Sequence, residues 1–375
     1  MGAPRPRATF GEAKVDRVLT EILTSTGRDN NDDLIRSLMV TALDMDAADV
    51  DRRELKIASQ ALAEILHSWE VFAPYNDRAK VTVFGSARTK LGTPDYQLAS
   101  DFGRAMSDQH WMTITGAGPG IMTAGIEGAR LENSIGVSIV LPFEEKAAEI
   151  IEGDPKLATF RYFFTRKLAF MKETDAFALF PGGFGTMDEA FELLTLIQTG
   201  KSYPAPVVLL DNPGSSYWSG WKSFVSNELL ETGMISPNDM NLFFHTHDPE
   251  EAAAHIVEFY STYHSLRFVE GQLILRLQSE LSESAIETLN DEFADILKKG
   301  RIEAVSAAEI EVRDGDVAEL PRLAMNFDKH GWARLVTMIH RINQLGQQPE
   351  RQALPGLVHD VDPQTPSDPF ERSDF

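Results

Sequence analysis

The sequence predicts an α/β protein built on a doubly wound parallel sheet, with a helical N-terminal extension and a small C-terminal α+β module. Three observations support this prediction. Between residues 80 and 262, short apolar runs alternate with segments of helix length. Several of these runs end in glycine-bearing turns, and the regions on either side show different patterns. Near-continuous apolar strands separated by helices are typical of a parallel sheet covered on both faces.

Residues 1–77 are predicted to form the helical N-terminal extension. Apolar side chains recur there every three or four residues, as they do on the buried face of a helix. No catalytic constellation is visible in this region, so we expect it to serve packing or oligomerisation. The two apolar stripes consist of Val15, Val18, Leu19, Ile22 and Leu23, and of Leu62, Ile65, Leu66 and Trp69.

Residues 78–262 are predicted to form the doubly wound domain. Its apolar runs end in Gly, Pro or Asp, and Pro249 suits the first turn of a closing helix. Ligands of such sheets bind at the carboxyl ends of the strands, so the turns that follow the strands are the candidate sites. The predicted strands lie in KVTVFGS, WMTITGAG, SIGVSIVLP, DAFALFPGG and PAPVVLLD.

Residues 263–346 are predicted to form the small α+β module. LRFVEGQLILRL is typical of a hairpin or a long strand, and EAVSAAEIEVRDG and LPRLAMNF are predicted strands. Ser284 and Glu287 have the spacing of a capping box, which predicts a helix that stops at Gly300. WARLVTMIHRINQLG is the predicted final helix. The tail, residues 347–375, is rich in Pro and Asp and is predicted to be flexible.

Composition and charge exclude several classes of function. The formal net charge is −22, which disfavours nucleic acid and anionic membranes as partners but leaves room for a small anionic ligand. The sequence contains no cysteine, so disulfides, thiolate metal sites and cysteine nucleophiles are excluded. No apolar run approaches the roughly 18 residues that span a bilayer, and the first residues lack a signal-peptide core. We therefore expect a cytoplasmic protein.

Three glycine-bearing turns follow predicted strands and should lie at one edge of the sheet. The first is FGSAR, with Gly85 and Ser86, and the second is TGAGPGIM. The second turn lacks the spacing of a dinucleotide fingerprint, because Ile121 stands where GxGxxG requires glycine. It also lacks the GK[ST] of a phosphate-binding P-loop. A structural turn and a ligand loop both remain open for it. Its glycines are Gly116, Gly118 and Gly120.

The third turn, PGGFGTMDE, is the most specific of the three. Gly182, Gly183 and Gly185 expose backbone where a helix should begin, and Thr186 can cap that helix or bind a phosphate. Asp188 and Glu189 are then expected in the first helical turn. Complementing the helix dipole explains Asp188. A second anion beside a bound phosphate needs another reason, which makes Glu189 a candidate functional residue.

A basic and aromatic segment, RYFFTRKLAFMK, precedes the strand that leads into the third turn. Arg166 and Lys167 could reach the strand edge, where guanidinium and ammonium groups neutralise phosphate. For Lys172 a solvated helix face is the better interpretation.

FGSAR, TGAGPGIMTAGIEGA, FFTRKLAFMK and PGGFGTMDE, in this order, resemble the LOG (Lonely Guy) family over residues 78–262. The resemblance implies a Rossmann-like fold and a nucleoside 5′-monophosphate phosphoribohydrolase that releases a free base and ribose 5-phosphate. The substrate would be AMP-like or a cytokinin nucleotide, and the protein would form a homodimer or a larger assembly. The second turn departs from the GGGxxGLM of short plant members. Carried over by position, Arg166 and Glu189 are catalytic, and the nucleotide is held by Gly85, Ser86, Gly116, Gly118, Gly120, Lys167, Gly182, Gly183, Gly185 and Thr186.

The mechanism expected from this resemblance needs no metal and no cofactor. Breaking an N-glycosidic bond builds positive charge on the ribose. Glu189 would stabilise that charge and deprotonate the attacking water, and we expect the helix N-terminus to lower its pKa. Arg166 would hold the nucleotide and orient either Glu189 or the departing base. His245 and His247 are predicted to be structural.

Three other functions were weighed against this one. A nucleotide-binding sensor would share the pocket but would not turn its ligand over. A single-stranded DNA-processing protein could use a related sheet, but the charge and the lack of an extended basic-aromatic stripe disfavour it. Lysine decarboxylation would need an electron sink such as pyridoxal phosphate, and the Arg-Lys pair is explained without one.

Overall fold

The computed structural model describes residues 6–27, 31–141, 147–315 and 317–346. The predicted flexible tail, 347–375, lies outside the described residues. The chain divides into two compact units, the first ending at Ala63 and the second beginning at Glu64. In the described part of the chain, no helix is both long and apolar enough to cross a bilayer.

The first unit is helical, as the sequence predicts. Arg36 of its second helix lies 3.6 Å from Asp16 of its first, so an ion pair joins the two. The predicted apolar stripe on the first helix is only partly buried: Leu19 is covered, whereas Val18 and Ile22 each expose nearly half of their surface. The helices are α1 (Ala13–Thr26), α2 (Asp32–Ala47) and α3 (Arg52–Phe72), the last of which continues into the second unit.

The second predicted stripe, on α3, is also largely open. Leu62, Leu66 and Trp69 expose about half of their surface, whereas Val71 and Phe72 at the end of the helix are buried. A helix that packs along one side buries only the side chains on that side. The stripe on this helix has the predicted spacing, but Leu62, Leu66 and Trp69 stay exposed, so the packing or oligomerisation role expected for it remains a prediction.

A parallel sheet forms the centre of the second unit and confirms the predicted doubly wound fold. Within the described residues it has seven strands in the order β4-β3-β2-β1-β5-β6-β7, and every neighbouring pair is parallel. Strand β4 was not among the predicted strands, because it is short and alternates buried and exposed residues, whereas β7 is the strand whose end the sequence predicts near His245 and His247. The strands are β1 (Lys80–Phe84), β2 (Met112–Thr115), β3 (Ser134–Ile139), β4 (Leu157–Phe160), β5 (Ala176–Leu179), β6 (Val207–Leu210) and β7 (Phe244–Thr246).

The strand order reverses between β1 and β5, which places a topological switch point there. The carboxyl ends of two such strands diverge into a crevice, which is where doubly wound sheets bind ligands. Phe84 pairs with Leu179 in the register of the two strands. The helices around this sheet are α4 (Pro94–Asp108), α5 (Ile121–Ala129), α6 (Phe163–Glu173), α7 (Phe184–Thr199), α8 (Tyr217–Phe224) and α9 (Pro249–Phe259).

The C-terminal part of the second unit is an antiparallel sheet with helices, as the sequence predicts. Its strand order over the described residues is β10-β11-β9-β8. Glu270 and Gly271 join β8 to β9 with φ values of 50° and 81°, which a two-residue hairpin turn requires. The elements are β8 (Tyr263–Val269), β9 (Gln272–Leu277), α10 (Glu283–Glu292), β10 (Leu297–Val305), α11 (Glu309–Asp314), β11 (Arg322–Phe327) and α12 (Trp332–Leu345).

Three local predictions in this part were wrong. The N-cap of α10 is Ser282 rather than Ser284, and its side chain accepts from the N–H of Ala285 at 3.2 Å. That helix ends at Glu292, since pairing with β11 draws the following residues, including Gly300, into β10. Part of the predicted strand EAVSAAEIEVRDG is instead helix α11, which carries Glu311 into a buried cluster with Arg276 and Arg322.

Helices α4 and α5 pack so closely that glycine is required between them. A Cβ atom on Gly128 would lie 1.8 Å from the carbonyl oxygen of Ser100. We expect Gly128→Ala to lower the free energy of unfolding by about 1–3 kcal/mol, because it overpacks this contact. Gly220→Ala on α8 is the control, since nothing lies within 4 Å of its Cβ position. Denaturant unfolding should show no loss for the control, and equal stability of the two variants would contradict the prediction.

Candidate functional site

The three glycine-bearing turns lie at one edge of the sheet, as predicted, and contact one another beside the switch point. The backbone of Ser86 joins them: its N–H donates to the carbonyl of Pro181 at 3.1 Å, and its carbonyl accepts from the N–H of Ile121 at 3.1 Å. The Ser86 hydroxyl accepts from the N–H of Arg88 at 3.1 Å. The first turn therefore holds the second and third turns in place.

The glycines of the first two turns lie against neighbouring protein atoms. Gly120 has a φ of 70°, and a Cβ there would come within 2.3 Å of the Ser86 carbonyl oxygen, so only glycine fits. The Cβ positions of Gly85, Gly116 and Gly118 are occupied by side chains of Ile121, Arg166 and Met122. Close packing of the loops is sufficient to explain glycine at these positions.

The third turn differs, because it opens to solvent. Nothing lies within 4 Å of the Cβ positions of Gly183 and Gly185, and both residues are exposed. Helix α7 begins here with Gly183 as its N-cap and without a side-chain cap. The N–H groups of Phe184, Gly185 and Thr186 are therefore the unpaired donors of the first turn. An anion bound at this position would accept hydrogen bonds from these N–H groups and would be stabilised by the helix dipole.

Thr186 and the two acids lie further into the helix than the sequence indicated. Thr186 is the third helical residue rather than the N-cap, and it is buried against Gly182. Asp188 and Glu189 therefore follow the first turn instead of belonging to it. The error arises because α7 starts at Phe184, whereas glycines usually end or precede helices. Asp188 remains exposed, while Glu189 keeps only 6% of its surface exposed.

Burial raises the pKa of the Glu189 carboxyl to about 7, although Lys167 and Arg166 act in the opposite direction. The predicted lowering by the helix N-terminus was therefore wrong, since desolvation of the charged form is the larger effect. Among the described residues, the Glu189 Oε2 atom has no hydrogen-bond partner. A buried carboxylate with one unpartnered oxygen and two cations nearby is typical of a functional group rather than of a stabilising one.

Arg166 lies in the same crevice and is held from three sides. Its Nε donates to the carbonyl of Val137 in β3 at 2.9 Å. Its guanidinium packs against Gly116 and lies 5.1 Å from the ring centroid of Phe170. Burial lowers the pKa of Arg166 to about 10, while the charge of Glu189 opposes that shift. The side chain is thus a fixed cation at neutral pH.

Lys167 is paired with carboxylates of α7. Its Nζ lies 2.9 Å from Asp188 Oδ2 and also contacts Glu192. Burial lowers the pKa of Lys167, but the hydrogen bonds to Glu192 and Asp188 outweigh burial, so the pKa is raised. The ammonium therefore connects α6 to α7. Asp188, expected only to complement the helix dipole, is instead part of this connection.

Sequence reasoning missed Glu64, which holds the start of α6. Its buried carboxylate accepts from the N–H of Arg161 at 2.9 Å, from the N–H of Tyr162 at 3.4 Å and from the Thr165 hydroxyl at 2.6 Å. A negative charge at a helix N-terminus is favourable. No sequence signal could reveal this role, since about a hundred residues separate Glu64 from its partners.

These features define a Rossmann-like α/β protein with an open helix N-terminus near its switch point, a buried carboxylate on the same helix, and an anchored arginine whose charge influences that carboxylate. Residues 119–256 match the family described as "Possible lysine decarboxylase". The cytokinin riboside 5′-monophosphate phosphoribohydrolase of Mycobacterium tuberculosis is 30% identical over 38% of this chain and 75% of its own. The enzyme of the same name from Rhodococcoides fascians is 30% identical over 47% of this chain and 88% of its own. The chain belongs to the LOG family.

One solved structure with a similar fold is the molybdenum cofactor binding protein of Rippkaea orientalis. The two sequences are 16% identical, and the aligned region covers 49% of this chain and 96% of the other chain, with a TM-score of 0.34. A similarity of this size supports no inference about ligands.

The raised pKa of Glu189 predicts a specific dependence of stability on pH. The folded state binds this proton more tightly than the unfolded state, whose pKa is near 4.5. Stability should therefore fall as the pH rises from about 4.5 through about 7. Glu189→Gln has no carboxyl to titrate, so its free energy of unfolding should not show this fall. Between about pH 5 and pH 8, its stability relative to wild type should therefore increase by up to about 3 kcal/mol.

Denaturant unfolding of both proteins at the two pH values measures this gain. Asp188→Asn is the matched control, because its carboxylate is exposed and adjacent. A gain for Asp188→Asn, or none for Glu189→Gln, would show that burial of Glu189 does not govern the dependence.

The cap provided by Glu64 predicts a loss of stability on its removal. Glu64→Ala leaves two backbone N–H groups without their acceptor, so the free energy of unfolding should fall by about 2–4 kcal/mol. Glu64→Gln should recover part of that loss, since an amide oxygen still accepts. Glu70→Ala, an exposed acid on the same helix, should stay within about 0.5 kcal/mol of wild type. An equal effect of Glu64→Ala and Glu70→Ala would exclude the capping role.

Proposed function

We propose that this protein hydrolyses the N-glycosidic bond of nucleoside 5′-monophosphates and releases a free base and ribose 5-phosphate. The observation that carries the proposal is Glu189, a buried carboxylate with a pKa of about 7 and an unpartnered oxygen, near Arg166 at the switch point. Membership of the LOG family, and the names of the two relatives, support the same reaction.

The open N-terminus of α7 is the proposed binding site of the 5′-phosphate. Its first-turn N–H groups and its dipole favour an anion, and the glycines at 183 and 185 leave room for one. The phosphate is not the reacting group, so its binding energy can position the sugar. The distance along α7 from Gly183 to Glu189 separates the bound phosphate from the carboxylate by more than one helical turn.

Glu189 is the proposed general base, and its carboxylate is the proposed electrostatic partner of the ribose. As the glycosidic bond breaks, its electron pair leaves with the base nitrogen and positive charge develops at the anomeric carbon. An ionised Glu189 stabilises that charge and takes a proton from the attacking water as the water oxygen bonds to the anomeric carbon. The departing nucleobase takes up a proton from solvent, and Glu189 later returns its proton to solvent, so the net reaction adds one water. A base is most effective when its pKa lies near the working pH, and a pKa of about 7 meets that condition.

Arg166 is the proposed fixed cation of the site. Its anchorage on Val137 and its packing against Gly116 keep the guanidinium in place before substrate arrives. Preorganised charge needs no rearrangement during the reaction. Its proximity favours the ionised form of Glu189, which is the form that acts as a base.

The expected result with wild-type protein is release of ribose 5-phosphate and free base from a panel of AMP, other purine and pyrimidine monophosphates, and cytokinin monophosphates. The kcat/KM of the best substrate should rise as the pH rises through about 7, since Glu189 must be ionised to act. Glu189→Gln should bind the nucleotide while kcat falls by about 10²–10⁴-fold. Asp188→Asn serves as the control and should retain turnover.

Two results would oppose this proposal in different ways. Unchanged turnover by Glu189→Gln would remove Glu189 from the chemistry. Binding of nucleotides by wild-type protein without any release of base would instead indicate a non-catalytic sensor.

A further inference from the structure

A second cluster of chemically active side chains lies at the same sheet edge, on strands β6 and β7. Asp211 follows the last residue of β6, His245 is the middle residue of β7, and His247 follows that strand. The two strands are parallel neighbours, with Leu209 paired to His245. The topology therefore brings a carboxylate and two imidazoles together at the carboxyl ends of adjacent strands.

The geometry of the three side chains matches a set of metal ligands. His245 Nε2 lies 2.9 Å from Asp211 Oδ1, and His247 Nδ1 lies 3.0 Å from the same oxygen. One ligand atom from each residue lies within 4.8 Å of the other two. Ligands bound to an ion at about 2.0–2.2 Å, with angles near 90–110°, stand roughly 3–3.5 Å apart. Small rotations of the imidazoles would complete the arrangement.

The surroundings also suit a metal site. Asp211 is fully buried, and its second oxygen accepts from the N–H of Trp218 at 3.2 Å. Such a hydrogen bond orients a ligating carboxylate. His247, in contrast, exposes 43% of its side chain. The cluster is thus fixed on its protein side and open on the other, where water or another ligand could complete the coordination.

We propose that Asp211, His245 and His247 bind one divalent transition-metal ion, with Zn²⁺ as the ion best suited to two imidazoles and a carboxylate. This differs from the sequence prediction that His245 and His247 are structural. The alternative is a hydrogen-bond network in which His245 donates to Asp211 Oδ1 and His247 to the Asp211 carbonyl at 2.9 Å. Both arrangements place the same nitrogen and oxygen atoms next to one another, and a metal titration distinguishes them.

The start of α8 connects this cluster to the third glycine turn. Trp218 bonds Asp211, and its neighbour Tyr217 donates its hydroxyl to the carbonyl of Gly182 at 2.7 Å. A bound ion that fixes Asp211 would therefore also steady Gly182, one residue before the N-cap of α7. This consequence rests on the proposed function, whereas the metal site itself does not.

Metal binding can be measured without reference to activity. Chelator-treated full-length protein is titrated with Co²⁺, followed by visible absorption, and Zn²⁺ is then added as a competitor. Elemental analysis after dialysis gives the stoichiometry. We expect one ion per chain and a visible Co²⁺ spectrum that Zn²⁺ removes.

His247→Ala is the decisive variant, because its exposed side chain can be removed with the fold intact, as a thermal melt will verify. The affinity of this variant for Co²⁺ should fall by more than the 10–100-fold typical of losing a residue that only orients a metal ligand. His330→Ala is the matched control, since His330 forms an exposed two-residue pair with Asp328 at 2.9 Å. Absence of Co²⁺ and Zn²⁺ binding at sub-millimolar concentration, or wild-type affinity in His247→Ala, would overturn the metal site.

Tyr217→Phe tests the connection to the glycine turn separately. It should bind the metal as wild type does, while the KM for nucleotide no longer changes between metal-free and metal-loaded protein. A KM that responds equally to metal in Tyr217→Phe and in wild type would exclude this route. Failure of the proposed hydrolysis would leave the metal stoichiometry unaffected, so the two outcomes are distinguishable.

Discussion

The buried carboxylate of Glu189 lies within the electrostatic influence of two cations of α6, Arg166 and Lys167, and Lys167 also joins α6 to α7 through Asp188 and Glu192. Desolvation disfavours the charged form and raises its pKa to about 7. The two cations oppose that shift and come from consecutive residues of α6. Because α6 must be held in place for this balance to persist, its start is capped by Glu64 and its arginine is anchored on Val137.

The sheet topology explains why these parts meet where they do. Reversal of strand order between β1 and β5 opens the crevice, and the turn after β1 holds the other two glycine turns through the backbone of Ser86. The open turn before α7 is the one whose glycines face space rather than protein. The glycines of these turns thus differ in their surroundings: Gly85, Gly116, Gly118 and Gly120 permit close packing, whereas Gly183 and Gly185 face open space.

Much of the fold and part of the site could be predicted because the signals are local. Apolar runs, turn residues and the order of the glycine turns depend on neighbours along the chain, and they indicated the doubly wound sheet; the resemblance to a family made Arg166 and Glu189 the candidate catalytic residues. The first and last residues of the helices were predicted less accurately. The starts of α7 and α10 were misplaced by a few residues, and β10 replaced a predicted helix end because strand pairing overrode the local preference.

By itself, the sequence determined the fold class, the edge of the sheet where the candidate site lies and the kinds of side chain available there. Only the tertiary structure decided the state and the partners of those side chains. The pKa of Glu189, the pairing of Lys167 with Asp188 and Glu192, the cap by Glu64 and the meeting of Asp211 with two histidines all depend on burial or on contacts between distant segments. Charge and hydration are set by three-dimensional surroundings, and no pattern of neighbouring residues encodes them.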